Sequence, residues 1–352
     1  MKKSLLALAA LTAFAGVASA QSSVTLFGVV DVNARNVKNG SPSLKSLSTD
    51  GNSSSRIGFR GVEDLGGGLR AGFWIEGAYG GDTGTGAGSV GNGSAAQEWR
   101  RRATLSLIGG FGEVRLGRDY TPTFWNHTIF DPFGTNGVGS QTNLMVQQGQ
   151  ASMLASGSTT LVRANNSIGY FLPAMGGVYG QVMVAAGEGA FGNKYTGFRL
   201  GYAAGPVNFA GSWGKTQATP TRDLTAMNFG GSFNLGFMTL MGQWHKYKVD
   251  APSVDQTNIL IGANVPVGKG TFKVSYGKAS STGVTRDATQ IALGYVHDLS
   301  KRTALYTHFA KISNEGNAAA GARFVASGSG PAGLMATGSG STGYEFGVRH
   351  SF

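Results

Sequence analysis

The chain has 352 residues, a formal net charge of +11, 58 glycines, 9 prolines and no cysteine. Lack of cysteine excludes disulfides and thiolate metal sites, and with them a small stapled secreted fold. Collagen is excluded because no Gly-X-Y period exists, and a disordered chain by the plentiful aromatic and β-branched residues.

The first element is Met1-Lys2-Lys3, an apolar run from Leu5 to Val17, and Ala18-Ser19-Ala20. A positive start, a short apolar stretch and an A-x-A site read as a secretory signal peptide over 1–20. The run is too short to span ~30 Å of hydrocarbon. The mature chain is then expected to be 21–352, a single domain outside the cytoplasm. No later segment approaches the ~18 apolar residues of a spanning helix. The basic excess does not point to nucleic acid, because no Lys/Arg-rich block of the kind that tracks phosphates is present.

After residue 20 the apolar period is two, the signature of half-buried strands. Ile57 and Phe59 fall on one face and Arg56, Gly58 and Arg60 on the other. Phe198, Leu200 and Tyr202 alternate with Arg199 and Gly201; Phe272, Val274 and Tyr276 alternate with Lys273, Ser275 and Gly277. Sixteen such segments are expected: 23–35, 54–63, 69–79, 99–108, 112–119, 164–171, 178–186, 195–202, 207–215, 223–234, 238–247, 256–265, 270–279, 287–296, 303–312 and 342–352.

The connections alternate in length. Short glycine-rich or polar turns such as Leu65-Gly66-Gly67-Gly68, Gly109-Gly110-Phe111 and Leu235-Gly236-Phe237 follow the even segments. Long connections, 36–53, 80–98, 120–163 and 313–341, follow odd ones. A soluble sandwich has no reason to gather long loops at one end, whereas a bacterial outer-membrane barrel has short periplasmic turns and long extracellular loops. Closure removes sheet edges that lipid could not satisfy, and a barrel this wide keeps an aqueous lumen. The expected fold is all-β, a transmembrane antiparallel barrel of 16 strands. The last segment puts Tyr344, Phe346, Val348, His350 and Phe352 on one face, with Glu345, Gly347, Arg349 and Ser351 opposite.

These segments resemble the general trimeric outer-membrane porins of Gram-negative bacteria, in the beta-proteobacterial branch, over essentially the whole mature chain. The marks are Ser23-Val24-Thr25-Leu26-Phe27-Gly28, Ser55-Arg56-Ile57-Gly58-Phe59-Arg60-Gly61, Leu116-Gly117-Arg118-Asp119-Tyr120 and the closing run from Gly343 to Phe352. The resemblance implies a homotrimer in the outer membrane, among lipid and lipopolysaccharide. It implies passive passage of small hydrophilic solutes and ions. It also implies that the terminal aromatics Tyr344, Phe346 and Phe352 belong to an assembly signal.

By the same resemblance the third long loop, from about Tyr120 to Val162, folds into the lumen opposite an arginine cluster. The counterparts of that cluster by motif position are Arg56, Arg118 and Arg163, with Asp131 as the loop's one candidate acid. Strict alternation with Val114 and Leu116 turns Arg118 outward; a bend at Gly117 would bring it back. A loop poor in acids biases such a constriction toward anions, since a ring of arginines is a selectivity device and arginine stays charged at any relevant pH. Alternation adds Arg60, Arg70, Arg100, Arg102, Arg115 and Arg199 as lumen-facing, paired in the plainer reading with Asp31, Glu76 or Glu113. It places Arg101 outward, with Ala103 and Leu105, at the extracellular rim.

No enzyme, cofactor or metal is expected. The five histidines are dispersed, with no H-E-x-x-H, and Gly84-Thr85-Gly86-Ala87-Gly88 lacks the strand-to-helix context of a phosphate loop. The expected function is a general diffusion channel with an anion preference. Its rivals are a substrate-specific channel for phosphate or organic anions, a non-channel barrel such as an adhesin or lipid-cleaving enzyme, and a secreted β-sandwich.

Overall fold

A computed structural model describes residues 23–40, 43–86, 99–145, 160–250, 254–282, 287–315, 324–326 and 340–352. The leader over 1–20 lies outside the described residues. The strands are β1 (Ser23–Asn39), β2 (Ser43–Thr49), β3 (Arg56–Gly66), β4 (Leu69–Ala78), β5 (Arg102–Gly109), β6 (Gly112–Tyr120), β7 (Arg163–Phe171), β8 (Val178–Ala185) and β9 (Tyr195–Ala204). They continue as β10 (Val207–Thr219), β11 (Arg222–Asn234), β12 (Thr239–Val249), β13 (Val254–Val267), β14 (Gly270–Thr282), β15 (Asp287–Asp298), β16 (Thr303–Glu315) and β17 (Ser341–Ser351). Each pairs antiparallel with its neighbours, and β17 returns to β1 to close the sheet.

Seventeen strands fill sixteen barrel positions, because β2 and β3 share one. β2 pairs with the upper half of β1, Val32–Lys38, and β3 with the lower half, Ser23–Val29. The break between them is folded around Asp31, whose carboxylate accepts the N–H groups of Gly51, Asn52 and Ser53 at 2.8–3.0 Å and the hydroxyl of Tyr306. All sixteen spans read from the alternation fall on strands. β2 is the addition, inside what the sequence presents as a long loop.

The pattern is inside-out. Phe198, Leu200 and Tyr202 are exposed on the outer face while Arg199 between them is buried; Phe272, Val274 and Tyr276 are exposed while Ser275 is buried. Apolar side chains meet lipid and polar ones meet the lumen, as a spanning barrel requires. The short turns need glycine where the chain reverses within a few residues: Gly66, Gly67 and Gly68 all sit at positive φ, from 61° to 83°.

At the closing seam, Gly28 and Phe352 exchange both backbone hydrogen bonds at 3.1 Å. The Phe352 ring lies over Gly28, where any Cβ would collide with it. Tyr344 and Phe346 project outward from β17, more than half exposed. Deleting Phe352 leaves the Gly28 N–H and C=O without their partners at the closing seam and removes the ring that covers Gly28; an unmade buried hydrogen bond costs about 1–3 kcal/mol. The expected result is a several-fold fall in heat-modifiable, folded protein; a yield equal to the parent's would contradict this account of the seam.

Candidate pore constriction

The longest connection, between β6 and β7, turns into the barrel. It opens with a helix, α1 (Pro122–Ile129), started by Pro122 in the first turn, where a missing N–H costs nothing. One face of α1 is buried against the inner wall of β9–β12. Asn126 donates to the Ala210 carbonyl at 3.1 Å and to Asn228 at 2.7 Å, and accepts from Arg199 at 2.6 Å. His127 lies 2.6 Å from the Tyr247 hydroxyl and stacks on His245 with ring centroids 3.7 Å apart. Burial pushes the His127 imidazole down to about 3, so the helix brings no charge to the lumen at neutral pH.

The loop then follows the wall toward the seam. Val138 N–H donates to Glu345 at 3.2 Å. Glu345 is fully buried, ion-paired with Arg35 at 2.8 Å and 3.0 Å from His308 Nδ1. Further on, the carbonyls of Gly139 and Ser140 accept from Gln290, and that of Leu144 accepts from Gln256 and Asn258, at 2.7–3.1 Å. Inward amide side chains on β11, β13 and β15 thus satisfy loop carbonyls that would otherwise be buried without partners. The sequence marks them only as polar residues at inward positions.

Asp131 is a correction. Its carboxylate does not oppose the arginines; it is buried and accepts the N–H groups of Phe133, Thr135 and Gln141 at 2.9–3.3 Å. It folds the loop onto itself. An Asp131→Ala channel is expected to show noisier open current with little change in selectivity. A large shift of reversal potential in single-channel records would instead return Asp131 to the conduction path.

The uncovered wall, β3–β7, carries the charge. Arg101 pairs with Glu76 at 2.5 Å and donates to the Tyr120 hydroxyl at 3.3 Å. Arg163 donates to the same hydroxyl at 2.9 Å, its guanidinium 4.4 Å from the Tyr120 ring centre. Arg56 lies 3.9 Å from Glu76 and is more exposed than Arg101, at 28% against 13% for the side chains. Tyr120 in turn stacks on Phe124 of α1 at 5.0 Å, tying the arginine wall to the helix. The nearby carboxylates are Glu76 and Asp50, and burial raises Asp50 above its ordinary range. Beside this wall, a cavity of about 310 Å³ is bordered by Arg35, Asp50 and Ser54 and, on the loop, by Thr135, Asn136, Thr142 and Asn143, all four neutral.

Arg56 and Arg163 therefore come together, and Arg118 does not join them. The register is regular through Arg118, which pairs with Ala103 and shares the outer face with Leu116 and Leu105. Its guanidinium donates to the Arg100 carbonyl and the Asn165 side chain. Gly117 does form a bulge, at φ 120°, but the shift it makes is against β7, not β5, so it does not rotate Arg118 inward. The third member is Arg101, expected on the outside. It precedes β5 rather than belonging to it, and its N–H donates to the Glu76 carbonyl at 3.0 Å. The chain bends there, so alternation fails and Arg101 and Arg102 both point inward.

Of the remaining arginines, Arg102 lies 3.7 Å from Asp119, and Arg115 pairs with Asp119 and with Glu113 at 2.9 Å. Arg60 faces the lumen beside Phe27 and Trp74. Arg70 is exposed, four residues from Trp74 on the same inward face of β4.

A family model described as Gram-negative porin matches residues 7–317. The chain is 40% identical to outer membrane porin protein 32 of Delftia acidovorans, over all of both chains. It is 28% identical to an outer membrane porin protein of Bordetella pertussis, over 89% of this chain and 95% of that one. Among solved structures, it is similar to one titled an anion-selective porin from Comamonas acidovorans, with a TM-score of 0.80, 36% identity, and coverage of 94% of this chain and 100% of that one.

Proposed function

The chain belongs to the Gram-negative porin family and is an outer-membrane channel; from that premise we propose that Arg56, Arg101 and Arg163 make it prefer anions. The carrying observation is that three guanidiniums gather on one wall, while the loop residues bordering the neighbouring cavity, Thr135, Asn136, Thr142 and Asn143, are neutral. Two unit charges 4 Å apart interact by about 1 kcal/mol in water and about 4 kcal/mol at an effective dielectric of ~20. Each arginine therefore matters to a passing anion. The similarity to a structure titled an anion-selective porin supports the same reading.

In this reading small hydrophilic solutes cross by diffusion, sorted by size and charge. No reaction is catalysed and no cofactor is held. Residues 1–20 are a cleaved leader and 21–352 the mature barrel. The working unit is a homotrimer set among lipid and lipopolysaccharide. Tyr344, Phe346 and Phe352 form the assembly signal.

Proteoliposome swelling separates a general pore from a substrate-specific one. Rates for neutral sugars should fall smoothly with size, and small monoanions should enter faster than sugars of equal size. One solute entering far above that trend and saturating would favour the specific channel. Arg56→Ser alone should lower the anion-to-cation permeability ratio several-fold, with the barrel intact; an unchanged ratio would remove Arg56 from the selective set.

A further inference from the structure

Four strands carry the same short run at the same height. Trp213-Gly214-Lys215 on β10, Trp244-His245-Lys246 on β12, Tyr276-Gly277-Lys278 on β14 and Phe309-Ala310-Lys311 on β16 each set an aromatic ring and a lysine two residues apart, hence on one face. That face is the outer one: Trp244, Tyr276 and Phe309 are exposed, and Trp213 stacks on the exposed Phe198. Lys215, Lys278 and Lys311 each stand eight residues past the first residue of their strand, Val207, Gly270 and Thr303, and Lys246 stands seven past Thr239. These strands start at the short turns. At ~3.3 Å per residue and a tilt of ~40°, the lysines lie about 20 Å up a lipid-facing band ~25 Å tall. Aromatic rings at that level mark the membrane interface, and lysine amines reach past it toward headgroups.

The four lysines are not equivalent. Lys215 is paired with Asp223 at 2.7 Å and Lys246 with Asp255 at 3.1 Å. Lys278 and Lys311 make no ion pair among the described residues. The register sets them around one polar step: Lys278 lies opposite Thr289, Thr289 opposite Ser313, and Lys311 opposite Thr342. The nearest acids on this face, Asp287 and Glu315, stand opposite each other one step further toward the loops, and Asp287 accepts the Ser281 N–H at 2.8 Å. Below the lysines, the same three strands form an apolar groove of about 350 Å³ between Phe272, Val274, Leu293 and Phe309. Its foot at Phe272 is six residues below Lys278, ~20 Å along the strand and about 15 Å in depth. That is half of a hydrocarbon core ~30 Å thick.

We propose that the outer face of β14–β16 binds one outer-leaflet lipid, with a headgroup phosphate held between Lys278 and Lys311 and an acyl chain lying in the groove beneath. Two unpaired cations select an anionic headgroup, and a groove one leaflet deep selects a lipid of that leaflet. Within lipopolysaccharide the part with both features is the phosphorylated lipid anchor. Each ammonium is a compact point charge whose three donors turn to follow phosphate oxygens, and the Thr289 and Ser313 hydroxyls add donors in the same row. Lys215 and Lys246 stand at the same height with their charge already met by Asp223 and Asp255, so they do not retain a lipid in this way. The proposal deepens the reading that the barrel stands among lipopolysaccharide, and rests on it.

The test uses the refolded full chain in neutral detergent, with diphosphoryl lipid A or phosphatidylcholine added, and counts bound lipid by native mass spectrometry. Diphosphoryl lipid A should be retained in preference to phosphatidylcholine, and inorganic phosphate at equal concentration should not displace it. Lys278→Gln with Lys311→Gln should lower its affinity at least about tenfold, while Lys215→Gln with Lys246→Gln should leave it. Leu293→Trp, which fills the groove, should weaken the lipid with both lysines in place. Heat modifiability shows that each variant is folded. Equal retention by the two lysine double variants would overturn the site, and so would displacement by free phosphate. A Lys278/Lys311 variant that keeps its lipid but loses its oligomeric state would also overturn it, by giving this arc to a second copy of the chain. A barrel that conducts in a bilayer yet binds diphosphoryl lipid A no better than phosphatidylcholine would fail the site and leave the channel standing.

Discussion

Changing Arg56, Arg101 and Arg163 together to glutamine is expected to remove most of the channel's anion preference. The three guanidiniums are countered at the constriction only by Glu76 and Asp50 among the described residues, and the loop residues bordering the neighbouring cavity are neutral. Removing the three leaves Glu76 and Asp50 with Arg102, which pairs with Glu76 across β4 and β5, as the nearest charges. Even in water each lost contact at 4 Å is worth about 1 kcal/mol, so the chloride-to-potassium permeability ratio should fall by at least about tenfold. Because the triple change also breaks the close Arg101–Glu76 pair, Arg56→Gln with Arg163→Gln serves as the partner variant. It keeps that pair and should move the ratio in the same direction by less. A triple variant that folds and still prefers anions would mean that the field is set elsewhere in the lumen.

The second large effect is expected at Glu345. Its carboxylate holds the buried Arg35 guanidinium, lies against His308 and accepts the Val138 N–H of the inward loop. Glu345→Ala strands a buried cation and frees the loop tip. Breaking a buried ion pair by removing one partner costs about 3–5 kcal/mol. The thermal midpoint of heat modifiability should drop, and the refolded channel should show higher and noisier conductance and admit larger sugars into liposomes. Gly137→Val reaches the same point by another route. Gly137 sits at φ 68°, and a side chain there would collide with Glu345 and the Gly51 carbonyl. If both variants kept the parental size limit, the loop would not be held by its tip. Glu345→Gln, which retains an acceptor for Val138, should be intermediate.

The sequence carried the barrel and much of the wall, but not the inside of the lumen. Alternation is a two-sided signal wherever one face meets lipid, so all sixteen spans were legible. β2 was not, because Ser43–Thr49 is short and mixes Leu44, Lys45 and Leu47 with serines, giving no clean outer stripe. Arg56 and Arg163 were legible through motif position. Arg101 was misplaced because alternation was carried one residue past the start of β5, where the backbone bends to Glu76. Arg118 joins the set by motif position against strict alternation, which turns it outward; a bend at Gly117 would bring it back, and the bulge there leaves the β5–β6 register intact.

Asp131 and Glu345 show a different limit. Both are acids that alternation or loop position places at the lumen. Only three-dimensional packing shows that each is spent on holding the loop, Asp131 through the N–H groups of Phe133 and Gln141 and Glu345 through that of Val138. The amides that dock the loop, Asn228, Gln256, Asn258 and Gln290, are likewise ordinary inward polar residues until the loop lies on them. A loop that folds back across a lumen makes its contacts at long sequence separations, 73 residues for Asn126 with Arg199 and 207 for Val138 with Glu345, which no local pattern records.

The central claim is that the arginine wall, unopposed by the loop, decides which ions pass. Its most direct test is the reversal potential of the unmodified channel in a planar bilayer across a tenfold KCl gradient at neutral pH. A reversal on the chloride side is the predicted result. A reversal on the potassium side would contradict the account, because the carboxylates Glu76 and Asp50 would then outweigh Arg56, Arg101 and Arg163.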